Sequence, residues 1–252
     1  MTRPWKILDS SESDEGPLEL RQRGAAEFLI TVAGRVLMNS AASRSELSLA
    51  EEACARIVGR AAPRVLVGGL GMGCTLRAAL DALPADAQVI VAELDETILS
   101  WCRGPLALLT DRAVEDPRVE VRIGDVAEVI AEAARPGAAP YDAILLDLYE
   151  GPHPATQPRR HPHYGEAALA RTRKALGGDP RRGAGTGALR DASPDAPPDA
   201  PKDEGRSGVL AVWSEDPDAA FEDRLARAGF AVERRRPGRG GRRHVVYVAS
   251  AR

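Results

Sequence analysis

The sequence predicts an α/β fold: a doubly wound, mostly parallel sheet with a small N-terminal antiparallel β unit and an antiparallel C-terminal strand. Three observations carry this. Strand-type apolar runs alternate with helix-type stripes from residue 64 onward. The first run feeds a glycine-rich turn, Val65 to Thr75 reading VLVGGLGMGCT, and a helix-type segment follows. Three later runs each end in an acid: QVIVA in Glu93, VEVRI in Gly124-Asp125 and AILL in Asp147. In an open parallel sheet, ligands bind outside the carboxyl ends of the strands, so the three acids should converge beside the glycine turn.

The elements follow in order. Met1 to Gly16 is acidic and lacks an apolar core, and is expected to be a flexible leader. Leu18 to Gln22, Glu27 to Val32 and Arg35 to Met38 alternate as strands, with Gly34 at a turn. They form the small β unit, taken as residues 17–43. Glu46 to Val58 carries Leu47, Leu49, Ala50, Ala53, Cys54 and Ile57 on a helical stripe, with Ser43 or Ser45 as its cap. Next come strand Arg64 to Val67, helix Thr75 to Leu83, strand Gln88 to Ala92 and helix Glu96 to Trp101. Strand Val119 to Ile123, helix Val126 to Ala134, strand Ala143 to Asp147 and helix Gly165 to Leu176 continue the alternation. Strand Val209 to Trp213, helix Ala219 to Ala228 and the pair Ala231 to Arg236 and His244 to Ala249 close it. Residues 44–252 are therefore read as one Rossmann-like domain. It is interrupted at 178–207, which is rich in Gly, Pro, Ala and Asp and has one leucine as its only large aliphatic residue. Such a stretch cannot bury enough apolar surface to order itself, and a disordered surface insertion is expected.

Composition narrows the function classes. The chain has 252 residues, a 44% hydrophobic fraction and a net charge of −3, which fits one globular domain and implies no nucleic-acid partner. No apolar run approaches a membrane span, so no membrane association is expected and the protein is read as cytoplasmic. Three dispersed cysteines, Cys54, Cys74 and Cys102, argue against a disulfide framework or a zinc site. His153, His161 and His163 match no metal-ligand spacing, and no metal is expected. The basic run Arg234 to Arg243 reads as a solvated hairpin tip.

The chemistry-bearing residues point to a nucleoside. Glycines in the turn allow positive φ and close approach of backbone to a ligand. An acid just past a strand suits ribose hydroxyls or an adenine amino group. The competing reading for each acid is a cap on the following helix.

The order GGLGMG, AELD, GDVAEV and LLDLYEGP resembles the class I S-adenosylmethionine-dependent transferases, and within them most closely the spermidine synthase (polyamine aminopropyltransferase) family. The likeness runs from about Leu29 to Pro154 and resumes at Gly208. Thr75-Leu76-Arg77 and Asp116-Pro117-Arg118-Val119 add to it. The resemblance implies S-adenosylmethionine or its decarboxylated form as co-substrate, a small amine or other nucleophile as acceptor, and a homodimer paired through the N-terminal β unit and the sheet edge, as is usual in that family. It implies that Gly69, Gly71, Met72 and Gly73 approach the methionine-derived part. Glu93, with Leu94 beside it, would bind the ribose, and Asp125 with Val126 the adenine. Asp147 matches the acid that orients or deprotonates the attacking amine. Glu46, Tyr149 and Glu150 would face the acceptor.

The departures are as specific. Met72 stands where the family's glycine loop has Asp, Arg44-Ser45 where a Tyr-His pair precedes Glu46, and Leu37 where a Gln follows the N-terminal Gly. Asp147-Leu148-Tyr149-Glu150-Gly151-Pro152 replaces D-S-[ST]-D-P. The nucleoside half of the pattern is intact and the acceptor half is altered. Methyl transfer and a non-catalytic nucleoside-binding role therefore stand beside aminopropyl transfer. A nicotinamide-dependent dehydrogenase also uses an acid after its second strand, but the GDV and LLDLYEGP stretches fit the sulfonium-using superfamily better.

Overall fold

The computed structural model describes residues 3–13, 15–149, 151–152, 161–178, 208–237 and 244–251. Strands β1 (Lys6–Ser13), β2 (Gly16–Arg23), β3 (Glu27–Val32) and β4 (Arg35–Asn39) form an antiparallel N-terminal sheet in sequential order. Helix α1 (Arg44–Cys54) leads into the main domain. There β5 (Arg64–Gly68), α2 (Cys74–Ala82), β6 (Gln88–Glu93), α3 (Glu96–Arg103), β7 (Val119–Ile123), α4 (Val126–Ala133), β8 (Ala143–Leu146), α5 (Glu166–Ala175), β9 (Val209–Ser214), α6 (Ala219–Arg227), β10 (Phe230–Arg235) and β11 (Val245–Ala251) alternate as expected.

The seven strands lie in the order β10-β11-β9-β8-β5-β6-β7. β11 pairs antiparallel with both neighbours, whereas β9, β8, β5, β6 and β7 pair in parallel. The strands read as continuous apolar runs because both faces are covered. With a side-chain period of two, Val65, Val67, Val89, Val91, Ala143 and Leu145 join one core with the N-terminal sheet, α1, α2 and α3. Leu66, Ile90, Ile144, Leu146, Leu210 and Val212 face the opposite core under α4, α5 and α6. Chain order reverses at β5, which has β6 on one side and β8 on the other. The crevice of a doubly wound sheet opens at that point.

Two expectations are corrected. The segment 1–16, read as a flexible leader, contains β1, which pairs along its length with β2. Its sequence, KILDSSES, carries no buried face, so the strand is held by its backbone ladder and a few anchors, and hydrophobic alternation could not reveal it. Trp101 Nε1–H donates to Asp9 Oδ2 at 2.7 Å, and the Arg23 guanidinium lies 4.7 Å over the Trp5 ring. Helix α1 stops at Cys54, short of Val58, and Ile57 remains buried in the turn that follows. Of the two serines offered as the cap, Ser43 occupies the N-cap position of α1 without a side-chain bond, and Ser45 lies inside the first turn. The proposed insertion lies, from 179 onward, outside the described residues, as does the basic run from 238 to 243. Among the described residues no helix is long and apolar enough to cross a membrane.

The Asp9 anchor gives a test of how β1 is held. Trp101 is 1% exposed, so losing its acceptor strands an indole N–H. Asp9→Ala should cost about 1–2 kcal/mol in urea unfolding. Asp9→Asn, which keeps a carbonyl acceptor, should cost much less, and equal losses would mean that the bond does not anchor the strand.

Candidate functional site

The register of three strands builds the site. Gly68 pairs with Ala92 on one side and Leu146 on the other, so Glu93 and Asp147 emerge on either side of the glycine turn. Gly69 N–H donates to Ala92 O and Asp147 N–H to Gly68 O, both at 2.9 Å. Gly69 has φ +87°, and a Cβ there would collide with the Asp147 carbonyl oxygen. Gly71 has φ +51°, and a Cβ there would strike the Met38 side chain, which reaches over from β4. The turn thus favours glycine at both positions for conformation, and at Gly69 for space as well, since the obstacle there is backbone.

Above it lies a cavity of about 1010 Å³. Its walls come from the N-terminal sheet (Leu29, Met38), the first turn of α1 (Glu46), the glycine turn (Gly69, Gly71), and the ends of β6, β8 and β9. Its charge is one-sided. Glu15, Glu46, Glu93, Asp95, Glu96, Asp147 and Glu215 line it, and among the described lining residues there is no lysine or arginine.

Glu93 is 9% exposed and sits at the end of β6, beside the glycine turn. Its Oε2 accepts Leu70 N–H at 2.8 Å and its Oε1 accepts Asp95 N–H at 2.9 Å. The carboxylate therefore ties the glycine turn to the β6 end and still has lone pairs for a ligand. Leu94, 75% exposed, lies on the rim.

Asp147 lies on the other side of the turn. Thr75 Oγ1–H, in the first turn of α2, donates to its Oδ2 at 2.6 Å. Burial, and then the nearby Glu46 carboxylate, push its pKa from 3.8 up to about 7, against the pull of the Thr75 bond. Part of its surface faces the cavity, so it is a deep but reachable group poised to exchange a proton near neutrality. Cys74 shares this neighbourhood, and burial, Glu46 and Asp147 push its thiol up to about 12, so it stays an unreactive thiol.

Other expected residues are placed differently. Met72 is 1% exposed in the core and does not line the cavity. Gly73, φ +82°, is the N-cap residue of α2 and lies against Thr110. Val126 is buried beneath Gly68, 2.8 Å from where a Cβ would sit. Asp125 caps α4: Oδ1 accepts Ala127 N–H at 2.8 Å and bonds His163 Nε2 at 2.9 Å. Burial pushes this carboxyl up, but the Ala127 N–H and His163 outweigh it, and its pKa falls below the usual value. Helix-capping is thus observed for Asp125, while Asp147 holds Thr75 and Glu93 holds the loop. Asp125 is not among the cavity-lining residues. Tyr149 is exposed at the rim, under the Arg35 guanidinium at 5.6 Å. Glu150 and His153 lie outside the described residues.

One group of cavity residues, from α1, β9 and the residue before β11, carries no local sequence signal. Ser45 Oγ–H donates to Glu46 Oε2 at 2.8 Å, and the same oxygen lies 3.2 Å from His244 Nδ1. The His244 ring packs edge-on to Trp213, with centroids 5.0 Å apart. Trp213 Nε1 and His244 Nε2 are both buried with no hydrogen-bond partner among the described residues. Nothing local marks these residues, because 199 positions separate Ser45 from His244.

Comparisons with known proteins add to this geometry. No family model matches the chain. It is similar to the polyamine aminopropyltransferase of Aeropyrum pernix, 34% identical over 87 residues, which is 34% of this chain and 26% of that protein. It is also similar to polyamine aminopropyltransferase 1 of Hyperthermus butylicus, 39% identical over 85 residues, 34% of this chain and 28% of that protein. The chain thus spans about a quarter of the length of the curated relatives it matches. Over 97% of its length it superposes on 72% of a spermidine synthase solved with the transition-state analogue AdoDATO, at a TM-score of 0.64 and 18% identity. The Thermotoga maritima spermidine synthase gives 0.62 at the same identity and coverage. Human methyltransferase-like protein 13 in complex with SAH gives 0.52 at 18% identity, over 84% of this chain and 82% of that one. The chain shares the methyltransferase-like fold of these structures, and its sequence resemblance is to the aminopropyltransferases.

Proposed function

We propose that this chain is an aminopropyltransferase-type enzyme, which carries an alkyl group from a sulfonium nucleoside, decarboxylated S-adenosylmethionine, to a small amine. The observation that carries this is the cavity at the β5–β8 switch point, with seven lining carboxylates and no described lining lysine or arginine. A pyrophosphate-bearing dinucleotide would meet mostly like charge there, which counts against a dehydrogenase. S-adenosylmethionine would bring its own carboxylate against the same wall. The decarboxylated form presents a sulfonium and an ammonium instead, and a polyamine acceptor is also cationic. The partial likeness to polyamine aminopropyltransferases points the same way.

The roles follow from position. Glu93 takes the ribose hydroxyls, held at the right height by its bonds to Leu70 and Asp95. Transfer from a sulfonium needs an in-line nucleophile, exclusion of water and an unprotonated amine. The amine lone pair forms the new C–N bond as the C–S bond breaks. The C–S electron pair stays on sulfur as a neutral thioether, and the surplus amine proton passes to Asp147. With a pKa raised to about 7, Asp147 is a better match for that proton than an ordinary aspartate. Thr75 positions it.

The direct test is calorimetry with methylthioadenosine, S-adenosylmethionine and its decarboxylated form, followed by transfer assays with putrescine, cadaverine and agmatine. Preference for the decarboxylated donor and transfer to one amine is the expected result. Preference for S-adenosylmethionine without amine alkylation would turn the reading to methyl transfer, and nucleoside binding with neither reaction to a binding protein.

Glu93→Gln should weaken methylthioadenosine at least tenfold, since a charge-assisted bond is worth about 1.5–3 kcal/mol. Unchanged affinity would remove Glu93 from the site.

Asp147→Asn should lower turnover by roughly 10²–10⁴ while methylthioadenosine still binds. In the wild type, kcat/KM should rise with pH through about 7 as Asp147 ionises. Thr75→Val removes the bond that favours the carboxylate, and should move this limb upward, whereas Thr75→Ser should restore it. Stability reports the same group. Its folded pKa lies above the ordinary 3.8, so the folded protein keeps a proton that the unfolded chain has released between about pH 4 and 7. The stabilisation is full below that window and is lost as pH rises through 7. Asp147→Asn should therefore melt higher than wild type at pH 8, with the gap closing by pH 4. A gap independent of pH would show that Asp147 titrates normally.

A further inference from the structure

We infer that His244 is an acceptor-recognition residue, which receives an N–H of the amine substrate on its bare Nε2. This rests on the proposed amine acceptor and adds a residue that the resemblance does not supply.

Hydrogen-bond accounting drives the inference. A serine hydroxyl has one proton, and that of Ser45 is given to Glu46 Oε2 at 2.8 Å. Toward His244, 3.2 Å away, Ser45 Oγ can then act only as an acceptor. In the neutral form of the ring the proton then belongs on Nδ1, facing Ser45 Oγ. Nε2 is left with an open lone pair, and among the described residues it has no partner. An orphaned acceptor away from water is costly unless a ligand completes it.

The surroundings say which ligand. His244 lines the cavity with Glu46, Trp213 and Glu215, in a wall of carboxylates. Glu46 is the group whose field also reaches Asp147. A cationic N–H donor is drawn to this wall by charge and can complete Nε2 directly, which an anionic or purely acceptor group cannot do. The ring cannot turn freely to offer Nδ1 instead, because Ser45 holds one edge and Trp213 packs against it in a T-shaped contact. Glu46 and Ser45 thus act as positioning residues, fixing the tautomer through a relay, and His244 makes the contact.

The test separates this inference from the reading beneath it. His244→Asn keeps an N–H where Nδ1 donates to Ser45 and removes the Nε2 acceptor. Diamine binding to the protein saturated with methylthioadenosine should weaken roughly tenfold or more, with methylthioadenosine affinity unchanged. In ¹⁵N NMR of the imidazoles, four histidines in all, the His244 signals (identified by their loss in His244→Asn) should report the Nδ1–H tautomer, and Nε2 should shift when putrescine is added. Ser45→Ala should abolish the fixed tautomer. Diamine binding that leaves both the His244→Asn affinity and the Nε2 signal of wild type unmoved would overturn the role of His244 alone. No diamine binding to wild type, with methylthioadenosine still bound, would overturn the amine-acceptor reading and this inference with it.

Discussion

The site depends on the close approach of two backbones at the end of β5. Gly68 pairs with Leu146, Asp147 N–H closes onto Gly68 O, and Gly69 passes so near the Asp147 carbonyl that no side chain fits between them. Ladder hydrogen bonds fix this register, and a one-residue slip would turn every side chain of β8 to the other face. Everything functional hangs on it. It places one acid on each side of the turn, points α2 so that Thr75 reaches Asp147, and leaves the crevice open where the crossovers diverge.

The same geometry explains the charge state of the site. Burial of Asp147 is the main reason its ionisation is costly, and the Glu46 carboxylate arriving from α1 adds like-charge repulsion. Asp147 therefore holds its proton to about pH 7. An entering ammonium reverses that field. It favours the ionised carboxylate as it binds, and so couples occupancy to readiness for proton transfer under the proposed chemistry. Thr75 limits the upward shift by bonding the carboxylate. The carboxylate-lined cavity thus concentrates negative charge, which an entering cation would offset.

Much of the architecture was legible because it rests on local pattern. Runs such as VLVG and AILL carry parallel strands buried on both faces, and the acids at their ends fall where the topology needs them. The errors have physical causes. Strand β1 is polar because neither of its faces is buried, so only its ladder with β2 and the anchors at Asp9 and Trp5 define it. Asp125 resembles Glu93 in sequence, both being acids after a strand, and for Asp125 the capping alternative is realised, because a helix begins directly after it and its Oδ1 accepts Ala127 N–H. Glu93 is followed by a further residue, Leu94, before Asp95 takes the capping position, which frees Glu93 for the loop. Ser45, Trp213 and His244 meet only through the tertiary fold, and no spacing could have paired them.

Met72 bears most directly on how this site differs from the family it resembles. There the glycine loop carries an acid, and here the side chain at this position points into the core, 1% exposed. An aspartate in that rotamer would be a desolvated charge among leucines and valines, so methionine is the physically consistent choice for this backbone. A cationic donor tail would then draw its compensation from other walls. The supply is there: Glu46 comes from α1, Glu15 from the turn before β2 and Glu215 from the end of β9. Glu15 is already paired with Arg35 at 2.6 Å, which leaves Glu46 and Glu215 as the stronger contributors. Negative charge thus stands at the rim, on the side where His244 also lies, and not on the floor of the site. Under the proposed function a donor would be held at the ribose by Glu93 and, toward the amine, by diffuse charge. Selectivity for the acceptor would then come more from the wall of α1, β9 and β11 than from the glycine turn.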